Sequence, residues 1–128
     1  MVQIITDSST LHTVEEANAL GVETLPLCVN IDDLEGRDLQ MDMKDFYERI
    51  RKGQIPRSSQ PPIGEVVDMF DKYKDSDIIN ITIADGLSGT YQSACAAKEM
   101  SENRERIMVF NCRTLCGPHC VAIQYIEK

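Results

Sequence analysis

Ile78-Ile79-Asn80-Ile81-Thr82-Ile83, followed by Ala84-Asp85-Gly86-Leu87-Ser88-Gly89-Thr90, is the most informative stretch of this sequence. Its first part is short, continuous and rich in isoleucine, which is typical of a strand buried on both faces of a sheet. Its second part is a polar turn with two glycines, and the small residues of 88–100 predict a helix after it. A buried strand that passes through a turn into a helix indicates a parallel α/β sheet.

The rest of the chain continues this alternation of strands and helices. Three further apolar runs predict strands at residues 2–6, 24–30 and 107–110. Apolar residues at helical spacing and a final apolar tail predict helices at residues 11–20, 43–50, 63–73 and 117–128. Polar stretches that contain glycine or proline predict loops at residues 32–38 and 53–62. The sequence therefore predicts an α/β domain with a mostly parallel sheet and helices on both faces.

Composition limits the kinds of partner. The 128 residues suit one domain, and their net charge of -8 with 13 Lys and Arg argues against nucleic acid and anionic membrane surfaces as partners. No apolar run approaches the roughly 20 residues that a membrane span needs. The first residues predict a strand and not a signal peptide, so we expect a cytoplasmic protein.

Polar turns follow three of the predicted strands. They are residues 6–10, 84–90 and 111–114. Ligands of open parallel sheets bind beyond the carboxyl ends of the strands, so we expect these turns to lie at one edge and to form the site. Ser88 has two interpretations at this stage: a helix N-cap, or a hydroxyl donor to an anion beside the first helical turn.

Two other polar segments have the same two interpretations. Asp7, Ser8 and Ser9 predict a helix cap first and a polar ligand wall second. The proline-bounded segment Arg57-Ser58-Ser59-Gln60-Pro61-Pro62 places several donors on a rigid loop, which suits a small anion.

A catalytic or metal site has less support. Gly86-Leu87-Ser88-Gly89-Thr90 nearly matches a nucleophile elbow, but Thr90 replaces the final glycine, and His119 is one isolated candidate base. A serine hydrolase or acyl-transfer enzyme that uses Ser88 is therefore an alternative only, and we expect no catalytic residue. We expect no metal and no cofactor, and we interpret the cysteines as free thiols: Cys28, Cys95, Cys112, Cys116 and Cys120.

Four motifs, in the same order along the chain, resemble motifs of the DegV family. They are Thr6-Asp7-Ser8-Ser9, Leu25-Pro26-Leu27, Ser58-Ser59-Gln60-Pro61 and Leu87-Ser88-Gly89-Thr90-Tyr91-Gln92-Ser93-Ala94. The last closely resembles the family's Leu-Ser-Gly-Thr-Tyr-x-Ser-Ala and is the most specific. The others resemble its Thr-Asp-Ser, Val-Pro-Leu and Thr-Ser-Gln-Pro.

The resemblance implies a Rossmann-like three-layer domain over residues 1–128, the first of two domains in these bacterial proteins. It implies that a long-chain fatty acid is bound through its carboxylate, and that some members present it to a fatty acid kinase that forms an acyl phosphate. Carried over residue by residue, the carboxylate ligands are Ser58, which keeps the hydroxyl of the family's threonine, and Ser88. We expect a supporting role for Ser59, Gly89, Thr90, Asp7 and Ser8. A third reading is a structural half-domain that only self-associates, as a homo-oligomer through an uncovered face.

Overall fold

The computed structural model describes residues 1–127. Its strands are β1 (Val2–Asp7), β2 (Val22–Leu25), β3 (Cys28–Ile31), β4 (Leu34–Arg37), β5 (Arg57–Ser59), β6 (Asp77–Thr82) and β7 (Ile107–Asn111). Its helices are α1 (Val14–Ala19), α2 (Met43–Arg51), α3 (Ile63–Lys72), α4 (Thr90–Met100) and α5 (Gly117–Glu127). Short 3-10 turns occur at Ser8–Thr10 and Arg104–Arg106. Within the described residues, no helix has the length and apolar character needed to cross a membrane.

The strands form two sheets. The larger has the order β2-β1-β6-β7, and all of its neighbouring strands are parallel. The smaller has the order β4-β3-β5 and is antiparallel. Because parallel strands need crossover connections, the helices that join them lie against the faces of the larger sheet.

The two central strands of the larger sheet, β1 and β6, are buried on both faces, as their sequences predict. The same expectation is wrong for β7, because this edge strand leaves Met108 and Phe110 exposed. Ile5 of β1 packs with Phe70 of α3 and Ala97 of α4 in one apolar cluster. Its neighbour Ile4 points to the other face and packs with Ala17 of α1 and Ile123 of α5. The predicted three-layer α/β fold with a mostly parallel sheet is therefore confirmed.

The strand predicted at residues 24–30 is wrong as one element. The chain forms β2 in the parallel sheet, leaves it at Pro26, and enters the second sheet as β3. Proline has no N–H to donate to a ladder, so a strand in the larger sheet ends there. The free Pro26 carbonyl accepts a hydrogen bond of 2.5 Å from Arg37 Nη2.

The two predicted loops are also corrected, because each contains a strand. Residues 32–38 include β4 and residues 53–62 include β5. Both strands are short and largely polar, and all three residues of β5 are exposed, so neither shows the apolar alternation by which strands are recognised. Both strands are held by backbone hydrogen bonds to β3, and the local sequence does not indicate this pairing.

The helices begin later than the sequence indicates at two places. The helix predicted at residues 11–20 begins after Thr13, whose side chain and that of Glu16 form a capping box. The helix predicted from Ser88 begins at Thr90, so its N-cap is Gly89. The final helix runs Gly117–Glu127, and Lys128, which the sequence places in it, lies outside the described residues.

The carboxylate of Asp7 joins the ends of two neighbouring strands. It is 2% exposed at the end of β1. Its Oδ2 accepts the Ile83 N–H just beyond β6 at 2.7 Å, and its Oδ1 accepts the Ser9 N–H at 2.9 Å. The predicted cap is thus confirmed, because Asp7 is the N-cap of the 3-10 turn Ser8–Thr10.

Asp7→Asn should lower the free energy of unfolding by about 1–3 kcal/mol, because an amide NH₂ would face a buried N–H donor and leave it without an acceptor. Urea denaturation at neutral pH measures this difference. Asp75→Asn makes the same change at an exposed position and should stay within about 0.5 kcal/mol of wild type. Equal stability of the two variants would contradict the structural role of Asp7.

Candidate functional site

The three predicted polar turns meet at the carboxyl edge of the larger sheet. The Ala84 N–H donates to the Thr114 carbonyl at 2.9 Å, which joins the turns after β6 and β7. The Cys116 N–H donates to the Ser9 carbonyl at 2.8 Å, which joins the turn after β1 to the start of α5. This is the edge at which ligands of open α/β sheets bind.

An apolar groove of about 500 Å³ opens beside this edge. Ligand sites typically measure about 300–1,000 Å³ and are mostly apolar with a few polar groups. The groove has this character, since its apolar wall is formed by Leu11, Leu27, Val29, Phe46, Ile83 and Leu115. Its polar lining includes Ser8, Ser9, Asp38, Arg57, Ser58 and Cys116.

Ser58 reaches the groove from β5. It pairs with Val29 of β3, and both line the groove. The next pair, Arg57 with Asn30, starts from the opposite face because side chains alternate along a strand, although Arg57 borders the groove as well. Ser59 shares that opposite face and does not line the groove, so the structure separates it from Ser58.

The opposite face of this small sheet borders a larger cleft of about 650 Å³. Asn30, Lys52 and Arg57 are among its lining residues, and it is mostly polar. None of the hydroxyls predicted to bind a carboxylate lies there. We therefore place the candidate site in the smaller, apolar groove, where the chemistry and the predicted residues coincide.

Ser88 lies in the turn before α4 and is half-buried. Its Oγ accepts the Thr90 N–H at 3.3 Å and lies 2.8 Å from Thr90 Oγ1. Two hydroxyls that bond to each other use one of their two hydrogens, so one hydrogen of this pair remains for a ligand. The N-cap interpretation of Ser88 is therefore wrong, because Gly89 is the N-cap, although Ser88 Oγ accepts the first N–H of the helix. The donor interpretation stays a prediction.

The turn before α4 also offers backbone donors. The first helical hydrogen bond of α4 runs from the Ser93 N–H to the Gly89 carbonyl at 2.9 Å, and the N-cap residue Gly89 has no side chain with which to cap the helix. First-turn N–H groups of a helix attract an anion. The nearby carboxylate of Asp85 turns toward the helix, where its Oδ2 accepts from Gln92 Nε2 at 3.1 Å.

The loop that carries Ser58 contacts the turn that carries Ser88. A methyl group added at Gly89 would lie 3.1 Å from Gln60 Oε1, so the Gln60 side chain packs directly on this glycine. The family motifs around Ser58 and Ser88 are therefore neighbours in space. Ser88 itself does not line the groove, and its turn lies at the contact with Gln60.

A buried network at this edge was missed by the sequence analysis. The Ser9 Oγ lies 2.5 Å from Asp7 Oδ1 and 3.2 Å from His119 Nδ1. The other ring nitrogen of His119 lies 3.0 Å from Thr6 Oγ1. Ser9 and His119 are 110 positions apart, and no local pattern links them.

This network is not a catalytic triad. In a triad the histidine lies between the acid and the serine, whereas here Ser9 lies between Asp7 and His119. Burial lowers the pKa of His119 below its ordinary value of 6.5, although the nearby charge of Asp7 opposes this effect. His119 is fully buried, so its ring acts as a neutral hydrogen-bonding group of the core.

The cysteines are free thiols, as the sequence predicts. Cys120 Sγ lies 3.3 Å from His12 Nε2, and burial raises the pKa of Cys112. Among residues 1–127, no group of three or more His, Cys, Asp or Glu side chains is arranged to hold a metal ion.

Comparison with known proteins identifies the family. The sequence model of the DegV family (Uncharacterised protein, DegV family) matches residues 1–128. Protein DegV of Bacillus subtilis is 33% identical over 106 residues, which are 80% of this chain and 38% of that protein. A DegV domain-containing protein of Listeria innocua is 34% identical over 104 residues, 77% of this chain and 37% of the relative. The chain thus spans less than half the length of these relatives.

Solved structures agree with this assignment. The structure of DegV from Bacillus subtilis, described as a fatty acid binding protein, superposes with a TM-score of 0.82 at 31% identity over 98% of this chain and 47% of that one. The Thermotoga maritima protein TM841, described as revealing a fatty acid binding function, gives a TM-score of 0.79 at 28% identity over 98% of this chain and 49% of that one. The chain therefore belongs to the DegV family.

Proposed function

We propose that this chain binds a long-chain fatty acid, with the carboxylate at Ser58 and Ser88 and the acyl chain along the apolar groove. The observation that carries the proposal is the groove itself, whose lining is mostly apolar and includes the hydroxyls of Ser8, Ser9 and Ser58. The fatty acid binding described for the Bacillus subtilis and Thermotoga maritima relatives supports the same ligand class.

The energetics favour an amphipathic ligand over a small anion. Each buried CH₂ contributes about 0.8 kcal/mol, so a long acyl chain outweighs the desolvation of one carboxylate. The net charge of -8 repels anions in general. Local donors must therefore hold the head group, and hydroxyls beside first-turn N–H groups form the charge-assisted hydrogen bonds that a carboxylate needs.

The chain is best understood as a non-catalytic lipid-binding module of the cytoplasm. Residues 1–128 form the first domain of the two that the family resemblance implies. The bound fatty acid is then presented to a fatty acid kinase, which phosphorylates its carboxylate. This step is tested by measuring phosphate transfer from labelled ATP to the bound fatty acid in the presence of a fatty acid kinase. Absence of transfer to fatty acid bound by this protein would argue against it.

The catalytic alternative, a serine hydrolase or acyl-transfer enzyme that uses Ser88, has weaker support. In the described residues no histidine lies within hydrogen-bond distance of Ser88, because His119 bonds to Ser9 and Thr6. A nucleophilic serine needs an adjacent base. Labelling of wild type but not of Ser88→Ala by a fluorophosphonate probe would nevertheless favour this alternative.

The structural alternative, self-association, is favoured by one feature. The strand β7 forms an edge of the larger sheet, and its residues Met108 and Phe110 are 60% and 52% exposed. Exposed apolar side chains on an edge strand promote pairing with another chain. Light scattering at high concentration distinguishes a monomer, which would argue against self-association, from a homo-oligomer.

The proposed function predicts that the protein carries fatty acid when it is purified gently. Native mass spectrometry should detect a bound mass of a long-chain fatty acid, and lipid extraction should identify it. Delipidated protein should bind added oleate or palmitate. Absence of endogenous lipid together with no binding of either fatty acid would contradict the proposal for this chain.

A further prediction concerns the two serines that are proposed to bind the carboxylate. Ser58→Ala and Ser88→Ala should each weaken oleate binding by about 1–3 kcal/mol, because each removes a donor to a charged oxygen. The two changes should couple in a double-mutant cycle, since both hydroxyls serve one carboxylate. Isothermal titration well below the melting temperature of each variant measures these affinities.

Two controls accompany this prediction. Ser76→Ala makes the same change just before β6, at the amino edge of the sheet, and should leave oleate affinity unchanged. Methyl oleate, which lacks the charge, should bind weakly and respond little to either substitution. Wild-type affinity for oleate in both Ser58→Ala and Ser88→Ala would mean that these serines do not hold the head group.

A further inference from the structure

A thiol and an imidazole meet beside α5, and neither belongs to the lining of the apolar groove. Cys120 lies on α5, and its Sγ is 3.3 Å from Nε2 of His12, which precedes α1. The two residues are 108 positions apart, so no local pattern of the sequence links them. A base beside a thiol is the arrangement that activates a cysteine as a nucleophile.

The hydrogen bonds around His12 leave its Nε2 as an acceptor. Two groups approach that atom: Cys120 Sγ at 3.3 Å, and Gln124 Nε2 at 3.5 Å from the next turn of α5. A side-chain amide nitrogen donates and does not accept, and a thiol is a weak donor. The neutral ring therefore carries its hydrogen on Nδ1, and the Cys120 thiol directs its own hydrogen at a base.

Packing alone does not account for this histidine. His12 is 8% exposed, and its Nδ1 is buried without a hydrogen-bond partner among the described residues. Buried polar groups are normally paired, so an unpaired one calls for an explanation such as a chemical role. The contact between Nε2 and the thiol provides that role. Because no acid in the described chain orients Nδ1, as one does in a catalytic triad, the pair suits a single modification and not turnover.

The other cysteines provide the contrast. Across residues 1–127, no other cysteine sulfur lies within hydrogen-bond distance of an imidazole. Cys112 Sγ instead donates to the Thr114 carbonyl at 3.2 Å, and burial raises the pKa of this thiol. Cys116 lies one turn before Cys120 and lines the groove. All five cysteines are half-buried, so exposure alone does not distinguish Cys120 from the rest.

We propose that Cys120 and His12 form a reactive thiol–imidazole pair, in which the Cys120 sulfur is a modification site for small electrophiles of the peroxide class. The sulfur attacks one oxygen of hydrogen peroxide, so that an S–O bond forms and the O–O bond breaks. His12 Nε2 takes the thiol proton and passes it to the departing hydroxide, which leaves as water. The thiol is thereby oxidised to a sulfenic acid and the peroxide is reduced. This modification requires no bound fatty acid, so it stands apart from the proposed function.

Residue-resolved alkylation of the full chain tests the pair. Iodoacetamide, quenched at intervals and followed by peptide mass spectrometry, should modify Cys120 at least about tenfold faster than Cys112. His12→Asn should slow the alkylation of Cys120 about tenfold or more, because the base is lost. Cys116, one turn away on the same side of the domain edge, is the internal control, and its rate should not change in His12→Asn.

A merely structural role of His12 gives the opposite sign. If the ring only fills space beside α5, His12→Asn loosens the packing and accelerates alkylation of both Cys116 and Cys120. That result, or an unchanged rate at Cys120, would overturn the proposal. Equal rates at Cys120 and Cys112 in wild type would overturn it as well.

Oxidation of wild type gives a readout that needs no variant. After treatment with hydrogen peroxide, dimedone, which traps sulfenic acids, should label Cys120 before the other four cysteines. Absence of label at Cys120, or earlier labelling of Cys112, would contradict the proposal even if His12→Asn failed to fold.

Discussion

The carboxylate of Asp7 accepts three hydrogen bonds at the carboxyl edge of the sheet, and the geometry of the site depends on them. They come from the Ser9 N–H, the Ser9 hydroxyl and the Ile83 N–H. These bonds fix the turn after β1 to the end of β6, and through Ser9 they also fix His119 at the start of α5. A buried carboxylate is tolerated only when it is hydrogen-bonded in this way, so the same groups stabilise the fold and shape the groove wall.

The serine hydroxyls at this edge therefore differ in their hydrogen-bond partners, although the sequence alone does not distinguish them. Ser9 Oγ bonds to Asp7 and His119, whereas Ser8 Oγ accepts the Leu27 N–H and Ser88 bonds to Thr90. Ser58 approaches from the second sheet, and Gln60 brings its loop against Gly89. Under the proposed function, an acidic protein holds an anion here through local donors, and the acyl chain supplies most of the binding energy.

Much of the fold was predictable because its signals are local. The apolar runs of β1, β6 and β7, which contain Ile and Val, and the apolar spacing of α3 identified the parallel sheet and one covering helix. The second sheet was not predictable, since β4 and β5 are short and polar and exist only through pairing with β3. The contact between Ser9 and His119 also has no signal in the local sequence. The sequence related Ser58 to Ser88 only through the motif resemblance, and the structure supports this relation because Gln60 packs on Gly89.

The most direct test of the account is a crystal structure of this chain with oleate at near-atomic resolution. We expect electron density for the acyl chain along Leu27, Val29 and Phe46, with the carboxylate within hydrogen-bond distance of the Ser58 and Ser88 hydroxyls. A carboxylate bound in the polar cleft beside Asn30 and Lys52, or an acyl chain outside the groove, would contradict it.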